Sequence, residues 1–303
     1  MHPILFRFGS TIIYTYTVLL DVGLVCGLVV ACLEGKRRGI APERIVDAAL
    51  WAVVAGIAGG RVGYVLANQE YFAENLREAF YIWEGGLAFQ GALLFGLLAL
   101  FLYSAYHKLP FLALADMAAL GLALGQVFGW LGCLMSGCAY GLESHGATSI
   151  LARLSLDLPD IYGIHAPRFA TQPLASALSL AIFILLWATR RRWPFGSAQD
   201  KPFDPSAELR ASFAQDRPSD YPFDRAQGGA QDRPFPGFAF TLYLLLYAGG
   251  QFLLEFTRGD EAIYWGPWRV SQWLYLAEAA LALVFLTHLL RKSKSSGNCS
   301  GHI

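Results

Sequence analysis

Long apolar runs alternate with short polar segments along this 303-residue chain. Seven runs, near 12–32, 45–67, 86–106, 112–135, 170–190, 237–256 and 270–290, are long enough to cross a membrane, because a hydrocarbon layer of about 30 Å needs roughly 20 helical residues. Only a helix lets one segment pair all its own backbone groups inside lipid. The pattern predicts an all-α, polytopic integral membrane protein with seven transmembrane helices.

Charge then orients the spans. Only 15% of the residues are charged and the mean hydropathy is +0.41. The 23 basic and 23 acidic residues cancel, so the chain lacks the basic footprint of a nucleic-acid binder. Lys36, Arg37, Arg38, Arg44, Lys108, Arg190, Arg191, Arg192, Arg291, Lys292 and Lys294 fall on one side of the predicted spans, together with the basic residues of the loop after the fifth run. That side holds 16 of the 23 Lys and Arg and the opposite side six, with Arg61 inside a span. The bias predicts an N-terminus outside and a C-terminus in the cytoplasm. Val29-Val30-Ala31-Cys32 has the look of a lipoprotein cleavage site, but the apolar run before it is too long and the basic cluster follows rather than precedes it. It reads as the inner end of the first span.

The organisation follows from the same pattern. Residues 1–193 carry five spans and residues 237–303 carry two spans and a short basic tail. Between them, 194–236 repeats Ala-Gln-Asp-Lys/Arg-Pro at residues 198, 214 and 230. These units are rich in Pro and poor in apolar residues, so they predict a disordered cytoplasmic loop rather than a solenoid. The second loop, 68–85, suits either a short interfacial helix with Tyr71, Phe72, Leu76, Phe80 and Trp83 on one face, or a solvated connector. Segment 136–169 is rich in Gly and Pro and is placed to cap the helices.

Ionisable groups inside spans are costly, so each is a functional candidate. Arg61 falls about 9 Å below the outer boundary of the second span, at 1.5 Å per residue. Tyr16, Gln90, Gln251, Glu255 and Arg258 fall at the outer ends of their spans, as does the segment Gly132 to Gly141. Plainer roles stand beside these: Arg61 snorkelling to the surface, and Glu255 serving as a counter-charge to Arg61 or Arg258. Asp21 and Asp116 lie toward the inner half, Asp116 as a favourable charge near its own helix N-terminus. Cys133 and Cys138 fit a metal pair with His145, a redox pair, or small buried residues. A structural metal site wants four ligands, and a disulfide needs the helix to break at Gly137. The third reading is therefore the leading one, and no metal or cofactor is expected.

Several segments resemble one known family, the prolipoprotein diacylglyceryl transferases. Gly59-Gly60-Arg61-Val62-Gly63-Tyr64-Val65-Leu66 is similar to the family's second-helix motif. Trp83-Glu84-Gly85-Gly86-Leu87-Ala88-Phe89-Gln90-Gly91 resembles its Trp-Asp-Gly-Gly-Met-Ser-Phe-His-Gly. Gly125 to Gly141 resembles its fourth-helix signature, Glu255-Phe256-Thr257-Arg258 its Glu-Phe-Phe-Arg, and Ser271-Gln272 its Gly-Gln before the last span. The resemblance covers nearly all of the chain outside 194–236.

It implies a transferase of lipoprotein biosynthesis at the outer face of the bacterial cytoplasmic membrane, a multi-pass protein. The diacylglyceryl group of phosphatidylglycerol would pass to the thiol of a lipobox cysteine in an exported prolipoprotein. Arg61 and Arg258, with Tyr140 and Gly141, would hold the phospholipid; Tyr16 would donate a hydrogen bond; Glu255 would orient the arginines. The departures are concentrated at polar positions. The family's third-helix histidine is Gln90, its signature arginine is Trp130, its asparagine is Cys133, its glutamate is Cys138, and a sixth-helix arginine is Gln251. Glutamine cannot act as a general base. Two further readings follow: a catalytically altered relative that binds phospholipid or lipoprotein without turnover, and thiol-redox chemistry at Cys133 and Cys138.

Overall fold

A computed structural model describes residues 4–8, 11–144, 153–160, 162–190 and 236–298. Among these, seven helices are long and apolar enough to cross a membrane. They are α1 (Thr15–Arg37), α2 (Pro42–Ala67), α4 (Phe89–Tyr106), α5 (Phe111–Ser136), α6 (Thr171–Thr189), α7 (Phe238–Glu255) and α8 (Val270–Asn298). The seven-span, all-α architecture expected from the hydropathy pattern is the one observed. His145 and nearly all of 194–236 lie outside the described residues.

Small residues set how the helices meet. A methyl group on Gly59 of α2 would stand 2.6 Å from the carbonyl oxygen of Gly91 on α4. On α1, one at Gly27 would stand 2.6 Å from the Gly121 oxygen of α5. These two seams let antiparallel backbones approach within van der Waals distance, the usual basis of helix association in lipid. The central core joins α5, α6 and α7 through Ala115, Leu120, Ile182, Leu186, Phe240 and Tyr243. Leu24, Val29, Leu94, Leu98, Leu281 and Val284 remain exposed, as suits faces turned to lipid tails.

Because neighbouring helices run antiparallel, the short elements between them gather at one end. The hairpin β1 (Ile4–Phe8) and β2 (Thr11–Tyr14) leads into α1. A second hairpin, β3 (Ser155–Pro159) and β4 (His165–Phe169), links α5 to α6. A third, β5 (Tyr264–Trp265) and β6 (Trp268–Arg269), links α7 to α8. The second loop forms α3 (Gln69–Glu74) and two 3-10 turns, Leu76–Phe80 and Ile82–Glu84. Its large apolar residues do not share one face: Phe72 is buried, whereas Tyr71, Leu76, Phe80 and Trp83 are exposed. The third span starts at Phe89 rather than near 86, because Gly85 and Gly86 adopt positive φ of 87° and 74° and cannot continue a right-handed helix.

At the opposite end, Asp116 is buried and does not serve its own helix. Its carboxylate accepts hydrogen bonds from the backbone N–H groups of Gly237 (3.0 Å) and Phe240 (2.9 Å), capping the N-terminus of α7. Arg38 stands 3.7 Å from the same carboxylate and 3.0 Å from Glu34. The expectation of a charge stabilising its own N-terminus is corrected accordingly.

Candidate functional site

The helix ends that carry the sequence candidates meet a compact charged cluster. Glu255 closes α7, and one carboxylate oxygen lies 2.6 Å from the Arg258 guanidinium. Its other oxygen lies 3.5 Å from Arg269. Asp260 completes the cluster, accepting from Arg258 Nε at 2.9 Å and from Arg269 at 3.0 Å. Two cations thus face two anions, with Glu255 and Arg269 almost fully buried. Burial pulls the Arg258 pKa down, but the hydrogen bond to Asp260 and the charges of Glu255 and Asp260 outweigh it and hold it above its ordinary value. Burial likewise pushes Asp260 up, and the hydrogen bonds and charges of Arg258 and Arg269 outweigh that, leaving its carboxyl below the usual range.

Backbone threading fixes this cluster to the α5 end. Leu142 N–H donates to Thr257 (2.8 Å), Gly259 N–H to Tyr140 (2.8 Å) and Phe169 N–H to Leu142 (2.9 Å). Segment 140–142 therefore lies between 257–259 and the last residues of β4. A side chain at Gly141 would meet Thr171 Oγ1 at 2.8 Å, and one at Gly259 would meet the Gly141 oxygen at 2.7 Å. Gly141 thus pairs with Arg258 through its backbone. The Tyr140 ring lies 4.5 Å from the Arg168 guanidinium, which is itself held by Glu143 and Asp160.

Arg61 fits neither of its plainer readings, as a snorkelling side chain or as the partner of Glu255. It is 7% exposed, so it does not snorkel, and it pairs with neither Glu255 nor Arg258 among the described residues. Nε donates to the Ala79 carbonyl at 2.9 Å, Nη1 to those of Gly85 (2.5 Å) and Gly86 (3.3 Å), and Nη2 to that of Glu78 (2.5 Å). Four carbonyls of the second loop are tied to α2 by one guanidinium. The arginines oriented by Glu255 are Arg258 and Arg269, not Arg61.

Cys133 and Cys138 are paired as a disulfide, with Cα atoms 4.9 Å apart. This corrects the reading as separate small buried residues. The helix ends at Ser136 and Gly137 takes a left-handed φ of 74°, which turns Cys138 back over Cys133. Gln172 on α6 donates to the Cys138 carbonyl at 2.9 Å. Tyr16 is half-buried against this end of α5, where a methyl group on Gly132 would stand 3.0 Å from its ring.

Beneath the charged cluster lies a polar stripe that sequence reading took only in part. On α7, Tyr243, Tyr247, Gln251 and Glu255 recur every four residues and so share a face. Tyr243 and Tyr247 stack at 5.7 Å, and Tyr247 meets Tyr275 of α8 at 6.3 Å. Trp130 faces Tyr247, and Gln90 faces Tyr275. Sequence reading does not single out Arg269, Asp260, Gln126, Tyr275 or Glu278. One signal was available for Arg269: a cation directly before a helix N-terminus opposes the helix dipole and needs a local anion.

Residues 3–204 match the sequence profile of the prolipoprotein diacylglyceryl transferase family. The chain belongs to this family. It is 28% identical over 292 residues to the phosphatidylglycerol–prolipoprotein diacylglyceryl transferase of Listeria welshimeri, covering 93% of this chain and 88% of that protein. It is 27% identical over 289 residues to the protein of the same name from Clostridioides difficile, covering 95% of each. The protein of that name from Acaryochloris marina is 39% identical over 139 residues, 46% of this chain and 51% of that one. Membership of this transferase family agrees with the seven spans.

Proposed function

We propose that the chain transfers the diacylglyceryl group of phosphatidylglycerol to the lipobox cysteine thiol of an exported prolipoprotein. The observation that carries this reading is the Glu255–Arg258–Asp260–Arg269 cluster, at one end of the bundle of a family member. In the reaction the thiol sulfur forms a bond to the glyceryl carbon and the carbon–oxygen bond to phosphate breaks. The electron pair leaves on the phosphate oxygen as glycerol phosphate, so a cation must stabilise that oxygen. Arg258 is the phosphate ligand in this reading, with Arg269 behind it, because Arg258 is the more exposed of the two and, among the described residues, carboxylates engage three of its five N–H groups. Glu255 fixes both guanidinium groups. Arg61 acts by holding the second loop in place, and Tyr16, Tyr140, Gly141 and Gln90 shape the surroundings.

The site end faces outward in this reading, with the N-terminus outside and the C-terminus cytoplasmic in a bacterial cytoplasmic membrane. Basic residues crowd the opposite end. The Cys133–Cys138 disulfide supports the same orientation, since disulfides persist on the oxidising side.

The deciding experiment incubates purified protein with labelled phosphatidylglycerol and a lipobox peptide and looks for the diacylglyceryl thioether by mass spectrometry. Product is the expected outcome. Bound phospholipid with no product would instead favour the relative that binds without turnover, a reading supported by Gln90, Trp130 and Gln251 at the altered positions.

A further inference from the structure

Transfer requires that the acceptor thiol lose a proton, and the groups around the charged cluster are poorly suited to take it. Gln90 has no basic atom. Protonating Glu255 would remove one of the two anions that hold Arg258 and Arg269, from 2.6 and 3.5 Å away. One further carboxyl lies on the same polar stripe. Glu278 sits two turns into α8, about 12 Å along the axis from Val270 at 1.5 Å per residue. One of its oxygens is buried with no hydrogen-bond partner among the described residues, and no Lys, Arg or His pairs with it there.

An unpaired carboxyl at this depth is costly and marks a functional site by default. Its neighbours form a set. The Tyr243 hydroxyl faces Gln126, yet the hydroxyl and both ends of that amide are buried without a closed hydrogen bond. Three helices, α5, α7 and α8, thus bring unsatisfied polar groups to one place, where structures ordinarily hold waters or mobile protons. Tyr275 connects this set to the cluster above. It precedes Glu278 by one turn and so shares a face of α8 with it, faces Gln90, and lies within electrostatic reach of Glu255, Arg258 and Glu278.

We propose that Glu278 holds the proton released by the acceptor thiol, receiving it through the Tyr275 hydroxyl. This rests on the transfer reading above and supplies its missing acceptor. Tyr275 takes the thiol proton as it passes its own to the Glu278 carboxylate; sulfur then attacks the glyceryl carbon and glycerol phosphate departs as an anion. Glu278 acts through Tyr275 and is a positioning residue. The titratable and charged groups facing this pair are Tyr243 and Tyr247 from α7, with Glu255 and Arg258 at the upper end.

The test follows thioether formation in phosphatidylglycerol nanodiscs between pH 5 and 9 for wild type, Glu278→Gln, Glu278→Asp and Tyr275→Phe. Glu278→Gln is expected to lower kcat about 100-fold or more with KM for phosphatidylglycerol unchanged. Its residual rate should rise with pH, following the thiolate fraction of the peptide up to about 8.5, whereas wild type levels off earlier. Glu278→Asp should restore part of the rate, and Tyr275→Phe should reproduce the loss. A productive wild type with an unaltered Glu278→Gln profile overturns this inference and leaves the transfer reading standing. A wild type that binds phosphatidylglycerol but forms no product overturns both. If Glu278→Gln fails to fold, Tyr275→Phe, which removes one hydroxyl, decides: an unchanged profile overturns the relay and a lost rate supports it.

Discussion

Arg61 and Arg269 are both buried, and they differ in what holds them. Arg61 is surrounded by carbonyl dipoles and two rings, with its guanidinium 5.4 Å from Phe72 and 5.7 Å from Tyr64. Arg269 has two carboxylates and two carbonyls. Removing Arg269 leaves Glu255 and Asp260 short of a counter-charge, so Arg269→Ala should destabilise the protein by about 3–5 kcal/mol, read as a fall in unfolding temperature in detergent. Arg61→Lys keeps the charge but not the fork geometry. It should free the second loop to proteolysis while leaving phosphatidylglycerol binding within about twofold (~0.4 kcal/mol); loss of binding would restore Arg61 as a phosphate ligand. Asp260 titrates below its ordinary range, so its stabilisation is complete above the unfolded value of about 3.9 and is lost as pH falls through the folded value. Asp260→Asn should therefore lose stability at pH 7 and narrow its gap from wild type as pH falls below about 3.9, followed by thermal unfolding. Sequence exposed Arg61 and Glu255 because each interrupts an apolar run. It concealed Arg269 and Asp260, which lie in a polar turn where charge is ordinary and only the three-dimensional return of the chain onto Glu255 gives them meaning.

Among the elements, five of the seven helix spans were legible to within three residues at each end, while α1 and α8 run on past their predicted ends to Arg37 and Asn298; lipid imposes nearly one length and one conformation on all of them. The hairpins were not, because strands of two to five residues leave no period long enough to read. The disulfide fell between: its spacing was visible, and only the left-handed turn at Gly137 makes it possible. A maleimide reagent on the unreduced, denatured protein should label Cys26 and Cys32 but neither Cys133 nor Cys138, and should label Cys133 and Cys138 only after reduction; labelling of Cys133 before reduction would refute the bond. The α2–α4 seam makes its own demand. Gly59→Val forces side-chain atoms against Phe95 and the Gly91 carbonyl, which should cost about 1–3 kcal/mol and loosen Gln90 on the same helix.

For the whole molecule, charge is distributed by end. Glu255, Arg258, Asp260 and Arg269 cancel at the site end, whereas Lys36, Arg37, Arg38 and Arg44 gather at the other. A fluorescent protein fused after Ile303 should fold and fluoresce in the cytoplasm, and a periplasmic phosphatase fused there should stay inactive; the reverse pattern would invert the proposed topology.

The Asp116 cap on α7 has a consequence for how the chain is assembled. The first backbone groups of α7 are received by a side chain of α5, so this helix needs no covalent predecessor to find its starting point. Residues 1–193 and 237–303, made as two separate polypeptides in one cell, should dock into a single working bundle. The carboxylate at position 116 would be the keyhole that the second piece must fit.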